Sequence, residues 1–301
     1  MGETSRREFL KSSAAAAVVM GGSSFLPEQS LPANSSKSLA IKKGLVYSML
    51  PQSLSHLERC KLAREVGFEV VQAPTTSDQR TAEGMQAAAD KAGIRIDSVM
   101  NMDHWDYPLS SSDPAVVEKG LSGMRTSLHN AKLWGADVVL LVPAVVTAQT
   151  SYRDAWTRSQ REIRKLIPLA SELKVVIGIE EVWSKFLLSP LEMQHYVAEF
   201  NSPWIKVWFD TGNVLLYGYP QDWIRTLGKN IVKLHIKDFK REKDGYKWLN
   251  LGDGDTDWPE IRKALAEINY SGSVIVELES GDEAYLRDIS YRLDRLLLEK
   301  I

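Results

Sequence analysis

The chain has 301 residues, 44% hydrophobic, 25% charged and 9% aromatic, which excludes collagen-like, coiled-coil and wholly disordered classes and leaves room for one large α/β barrel or two ordinary domains. Lys plus Arg (37) nearly balances Asp plus Glu (39), so the net charge of -2 provides no electrostatic footprint for nucleic acid or an anionic membrane. The single cysteine, Cys60, rules out an intrachain disulfide, and among Leu57, Leu62 and Ala63 it reads as a helix-packing thiol.

The chain begins with Ser5-Arg6-Arg7-Glu8-Phe9-Leu10-Lys11 followed by an uncharged run over 12–26 rich in alanine, glycine and valine. A paired arginine before a short, weakly apolar run is the pattern of a twin-arginine export signal, and the run is too short for a stable membrane anchor. Pro27, Pro32 and neighbouring serines read as the cleavage region and linker, so residues 1–40 are expected to be leader and 41–301 the folded domain, exported to the periplasm by the twin-arginine machinery. Export of a folded protein suits a metal captured before the chain meets tighter-binding zinc and copper.

From Lys42 onward, short apolar runs bounded by turn residues alternate with segments of helical period, the βαβα order of a parallel sheet. Eight strands are predicted, over 45–48, 69–72, 95–100, 137–142, 175–180, 205–210, 231–236 and 274–278. Runs such as Val138-Val139-Leu140-Leu141-Val142 are apolar on both faces, as strands buried between a core and a helical layer must be. Between them, Ile163, Leu166, Ile167, Ala170 and Leu173 form one helical stripe, Trp258, Ile261, Leu265 and Ile268 another, and Leu286, Ile289, Leu293, Leu296 and Leu297 a third. Thr256 or Asp257 caps the helix containing Pro259, and Ser189 caps the one opened by Pro190. Eight repeats with right-handed crossovers predict a single-domain α/β fold, a closed (β/α)8 TIM barrel.

In such a barrel the chemistry gathers where strands end. The fifth strand ends in Glu180, the sixth in Asp210, the seventh carries His235 and the eighth Glu277. Taken singly, each has an ordinary explanation as a helix cap or an ion-pair partner, as Asp238 has beside a lysine. Together, three carboxylates and an imidazole at successive strand ends repel and desolvate one another unless a cation joins them, and the oxygen-rich set with one nitrogen suits Mn²⁺ first, with Mg²⁺, Co²⁺ or Zn²⁺ as alternatives.

At these residues the sequence resembles the sugar isomerase/epimerase superfamily with the xylose isomerase-like barrel, a group that also holds inosose-converting enzymes and endonuclease IV. The likeness runs from about Lys42 to the end and is nearest to hexulose-6-phosphate isomerase and pentulose-5-phosphate 3-epimerase-like proteins. It is carried by Glu180-Glu181-Val182-Trp183-Ser184-Lys185, Phe209-Asp210-Thr211-Gly212-Asn213, His235-Ile236-Lys237-Asp238 and the run from Leu251 to Trp258. The resemblance implies a divalent metal on Glu180, Asp210, His235 and Glu277, with Glu180 and Glu277 also moving the proton through an enediolate. It further implies substrate contacts from Arg241, which matches a family arginine six residues past the histidine ligand, and from His104, with Lys185, Asn213 and Trp183 near the pocket.

Two departures stand out. Asn213 occupies the place of a substrate-binding histidine of the ketose 3-epimerases, and Phe186 that of a second glutamate. These features predict a metal-dependent isomerase or epimerase of a keto-sugar or polyol ketone, with a lyase or dehydratase acting on a keto-sugar, 3-keto-glycoside or inosose as the alternative, and a non-catalytic carbohydrate-binding barrel as a third. The expected partner is a small carbohydrate, a homo-oligomer is compatible, and nucleic acid is not expected: five histidines are too few for the several metals of the nuclease branch, and the surface lacks its basic excess. The sugar, its phosphorylation, the metal and the oligomeric state stay open.

Overall fold

The computed structural model describes residues 39–298. Of the leader and linker read over 1–40, residues 1–38 lie outside the described residues, and among the described residues no helix is long and apolar enough to cross a membrane.

Eight parallel strands close into a barrel: β1 (Lys42–Val46), β2 (Val70–Pro74), β3 (Arg95–Met100), β4 (Val138–Leu141), β5 (Val176–Glu180), β6 (Ile205–Asp210), β7 (Ile231–Ile236) and, after an antiparallel hairpin of β8 (Asp238–Glu242) and β9 (Gly245–Leu249), β10 (Ser273–Val276), which pairs with β1. The predicted (β/α)8 class holds, and seven of the eight predicted strands differ from the observed ones by two residues or fewer at either end. The first begins earlier, at Lys42, and Tyr47–Met49 form a single turn of 3₁₀ helix where the prediction had strand.

The helical ring comprises α1 (His56–Glu65), α2 (Gln79–Ala92), α3 (Pro114–Trp134), α4 (Tyr152–Arg164), α5 (Ile167–Leu173), α6 (Pro190–Ala198), the single turn α7 (Thr211–Val214), α8 (Pro220–Leu227), α9 (Trp258–Glu267) and α10 (Glu283–Leu293). The stripe over 163–173 spans two helices rather than one, because Pro168 has no N–H to give the carbonyl of Arg164 and its ring crowds that carbonyl. Asp257 caps α9 by accepting from the Glu260 N–H, and Ser189 caps α6 by accepting from that of Glu192. Cys60 is buried in α1, and burial pushes its thiol up to about 11, which keeps it protonated and inert.

The interior of the barrel is filled in layers. On β7 every second residue, Lys233, His235 and Lys237, points inward. At the floor, Lys233 Nζ lies 2.7 Å from Asp97 Oδ2 and 2.9 Å from Asp137 Oδ1, while Ser273 Oγ donates to Asp97. Above it Trp208 meets the His235 ring edge-on, and Gly178 on β5 leaves the space Trp208 occupies, since a Cβ there would stand 3.2 Å from the Trp208 Cβ. The charged groups inside the barrel gather toward its two ends, around Lys233 and around His235, with aromatic Trp208 packed between them.

Candidate active site

Four strand ends deliver the predicted constellation to one place. Glu180, Asp210 and His235 are buried and offer one ligand atom each, all within 4.8 Å of one another. His235 Nδ1 faces the carboxylates, at 2.7 Å from Glu180 Oε1, 3.7 Å from Glu277 Oε2 and 3.9 Å from Asp210 Oδ2. On the other side of the ring, Nε2 is 2.7 Å from Gln72 Oε1, a carbonyl that can only accept. Gln72 thereby fixes the ring by accepting from Nε2–H and leaves Nδ1 as the nitrogen that faces the carboxylates, the orientation a metal-binding imidazole requires.

Asp210 divides its two oxygens between two tasks. Oδ1 caps α7 by accepting from the Gly212 and Asn213 N–H groups at 2.7 and 2.8 Å, and Oδ2 faces the cluster. One oxygen of this aspartate therefore caps a helix while the other is left facing Lys237 and the cluster. Burial pushes Glu180 up to about 7 against the pull of His235, with Glu277 and Asp210 adding repulsion. Glu277 goes the other way: burial raises it, but Lys237 and His235 outweigh burial and bring it to about 2. Such crowding of acids marks a site built around positive charge.

Sequence reasoning missed one source of that charge. Lys237 Nζ lies 2.8 Å from Asp210 Oδ2 and 2.5 Å from Glu277 Oε2. Its stem passes over Gly212, where a Cβ would stand 2.4 Å from Lys237 Cγ, so the glycine of Asp210-Thr211-Gly212 is required by the lysine of His235-Ile236-Lys237. The two-residue period of a strand was the available signal, since Lys237 shares the inward face of β7 with His235. Gln72 was signalled in a similar way, as a lone amide within the apolar run Val70-Val71-Gln72-Ala73.

Of the substrate contacts expected from the resemblance, His104 and Asn213 line a cavity of about 240 Å³ together with Glu180, Glu277, Trp183 and Trp248. Burial pushes His104 down to about 4, with Glu277 pulling the other way, so it is neutral at pH 7, and its Nδ1 has no partner among the described residues. Asn213 also ties loops together: its amide nitrogen donates to the Glu181 carbonyl, and its own carbonyl accepts from Trp183 Nε1. Trp183 is both wall and anchor, stacking on Trp248 with ring centroids 5.2 Å apart.

Lys185 and Arg241 are not brought to the cluster. Lys185 is exposed with φ 61° and lies outside the cavity lining. Arg241 is carried off by the hairpin: its guanidinium donates to the Leu215 carbonyl, and it borders a separate cavity of about 280 Å³ beside Tyr219 and Asp255. Among the described residues Asp238 does not pair with a lysine either. Buried Asp238 accepts from the N–H groups of Phe239 and Gly252, the Thr256 hydroxyl and the Trp258 indole, which explains the run from Leu251 to Trp258 as a clamp on the hairpin. Asp238→Ala strands several of these donors at about 1–3 kcal/mol each. The expected result is a loss of thermal stability by more than 5 °C together with early protease cleavage between Lys240 and Lys247, and a melting curve matching wild type would contradict it.

Residues 60–295 match the model of the xylose isomerase-like TIM barrel family. The chain belongs to this family. The L-ribulose-5-phosphate 3-epimerase UlaE of Salmonella paratyphi A is 26% identical over 251 residues, 80% of this chain and 88% of the relative. The UlaE protein of Escherichia coli O1:K1 is also 26% identical, over 253 residues and with the same coverage. Among solved structures, D-psicose 3-epimerase with D-tagatose from Clostridium cellulolyticum H10 superposes with a TM-score of 0.71 at 19% identity, covering 85% of this chain and 98% of its own. The 3-keto-D-glucoside 4-epimerase of E. coli does so with a TM-score of 0.72 at 15% identity and the same coverage. At these identities the structural likeness establishes the fold. The xylose isomerase-like barrel accounts for the position of the cluster at the C-terminal ends of its strands, where barrels of this type carry their sites.

Proposed function

We propose that this protein is a divalent-metal-dependent epimerase or isomerase of a keto-sugar, with Glu180 and Glu277 as its proton-transfer pair. The observation that carries the reading is the convergence of Glu180, Asp210 and Glu277 on the Nδ1 of a histidine whose other nitrogen is fixed by Gln72. Sugar epimerases among the relatives support it.

The donor set fits a divalent ion: three ligand atoms within 4.8 Å, the correct imidazole tautomer, and carboxylates whose mutual repulsion a cation relieves. Glu180, Asp210, His235 and Glu277 would hold it, with Mn²⁺ the first choice for an oxygen-rich set with one nitrogen. Bound there, the ion polarises the substrate carbonyl and acidifies the adjacent C–H.

One glutamate removes that proton, and the other returns a proton from the opposite side. Return to the same carbon inverts it and gives epimerisation; delivery to the former carbonyl carbon gives isomerisation. Lys237 steers Glu277 and keeps it ionised, while His104 and Asn213 border the space for the sugar hydroxyls. The indoles of Trp183 and Trp248 wall that space. Export by the twin-arginine route and a periplasmic location belong to the same proposal, resting on Arg6, Arg7 and the run over 12–26, and cell fractionation with an Arg6→Lys, Arg7→Lys variant tests them.

The central test is proton exchange. Incubated with Mn²⁺ and ketoses in D₂O, the protein is expected to place solvent deuterium next to the carbonyl; an ultraviolet-absorbing enone would instead indicate elimination, and no exchange with any ketose would refute the epimerase reading. Metal binding is tested by melting. At a hundredfold excess over Kd a ligand specific for the native state adds about 2.7 kcal/mol, or roughly 5–10 °C for a domain of this size. Mn²⁺ is expected to raise the melting temperature by that amount, EDTA to reverse the rise and Asp210→Asn to abolish it. An unchanged melting curve argues against the site.

A further inference from the structure

The space beside the cluster is larger than one sugar ring needs. A second cavity of about 550 Å³ shares Lys237, Trp248 and Glu277 with the first and extends outward between the hairpin and the start of α10. Its outer lining includes Leu278 and Tyr285 together with Asn250, Asp253 and Glu279. Apolar surface beside hydrogen-bonding groups matches a saccharide, which presents C–H faces and hydroxyl edges. Taken together, the spaces of about 240 and 550 Å³ fall within the range of roughly 300–1,000 Å³ that buries a ligand of drug size.

The charge of this lining is selective. Asp253, Glu277 and Glu279 face a single cation among the described residues of the lining, Lys237, which is already held between Asp210 and Glu277. Asp253 is anchored by Arg292 Nη1 at 2.9 Å, with its carboxylate at the cavity wall. Carboxylates accept hydrogen bonds from sugar hydroxyls and repel phosphate.

We propose that this cavity is a second subsite, which takes a neutral saccharide ring attached to the keto-sugar held at Glu180 and Glu277, so that the natural substrate is a keto-glycoside larger than a monosaccharide and carries no phosphate. The inference rests on the keto-sugar reading above. It assigns to Tyr285, Asn250 and Glu279 the recognition of the attached ring.

The experiment compares deuterium exchange by the full-length, Mn²⁺-loaded protein on methyl 3-keto-α-D-glucoside, its 6-phosphate, 3-ketotrehalose and 3-ketomaltose. At least one disaccharide is expected to show a kcat/KM about tenfold above the methyl glycoside, and the phosphate a lower one. Tyr285→Ala is expected to shrink the disaccharide advantage about tenfold. Glu279→Lys, at an exposed position, raises the value for the phosphate relative to the methyl glycoside. Exchange on the methyl glycoside with no disaccharide preference, or a preference untouched by both substitutions, overturns the subsite and leaves the keto-sugar reading standing. Exchange on none of these four also overturns the subsite, and the keto-sugar reading falls with it only if the free ketoses fail to exchange as well.

Discussion

Glu277→Gln is expected to lower keto-sugar turnover by about 10²–10⁴-fold, the range for loss of a positioned general acid or base. Glutamine keeps the shape of the side chain at the end of β10 and removes the charge and the proton acceptor. The backbone of Glu277 remains bonded to the Ile236 carbonyl, and Lys237 keeps Asp210 at 2.8 Å, so the barrel has no reason to open. Turnover and D₂O wash-in are measured alongside thermal melting. A variant that melts with wild type and has lost exchange matches the expectation, whereas turnover within threefold of wild type removes Glu277 from the chemistry. Glu180→Gln is expected to behave alike, and comparing the two for the C-3 epimers of one ketose shows which carboxylate serves which face.

At the opposite end of the barrel, Asp97→Ala is expected to destabilise the protein by about 3–5 kcal/mol, the cost of removing one partner from a buried ion pair. Asp97 and Lys233 are both almost fully buried, and Asp97 accepts from Lys233, Ser273 and Ser98. With Asp97 gone, the ammonium keeps one carboxylate, Asp137, whose side chain is half exposed at the rim, and the Ser273 hydroxyl at 3.4 Å. For a domain of this size the loss corresponds to a drop in melting temperature of roughly 6–20 °C. The double substitution Asp97→Leu with Lys233→Met, which removes both charges, is expected to recover most of it. Thermal melts of wild type and the two variants decide the matter; an Asp97→Ala protein within 1 °C of wild type would show that the ion pair is dispensable.

Much of the barrel was legible because its strands are buried on both faces: a run such as Val138 to Val142 has little alternative to a parallel sheet. The four strand-end groups were legible because position along the strand alone sets them at one end. The hairpin was not. Lys240-Arg241-Glu242-Lys243 carries no apolar alternation, and the two-residue turn at Lys243-Asp244 before Gly245 was the one local sign of it. Missing the hairpin misplaced Arg241, since six residues past His235 leads to the pocket only if the chain does not first turn outward. Lys237 was hidden for a different reason. A lysine following a strand is usually solvated, and its inward course depends on a glycine 25 residues earlier in another strand's loop.

The hairpin gives the molecule a division of labour with an evolutionary consequence. Glu180 and Glu277, the pair proposed for proton transfer, and the floor beneath them are fixed by barrel strands, while the outer wall, including Trp248, belongs to a two-stranded appendage fastened through Asp238 and the Trp183 stack. A change of length or sequence between Lys240 and Lys247 remodels that wall without moving a reacting carboxylate. New substrates can thus be reached by drift in one exposed segment, provided the aspartate fastening survives, whereas a single-residue insertion in β7 would shift Lys233, His235 and Lys237 together and destroy the floor and the chemistry at once.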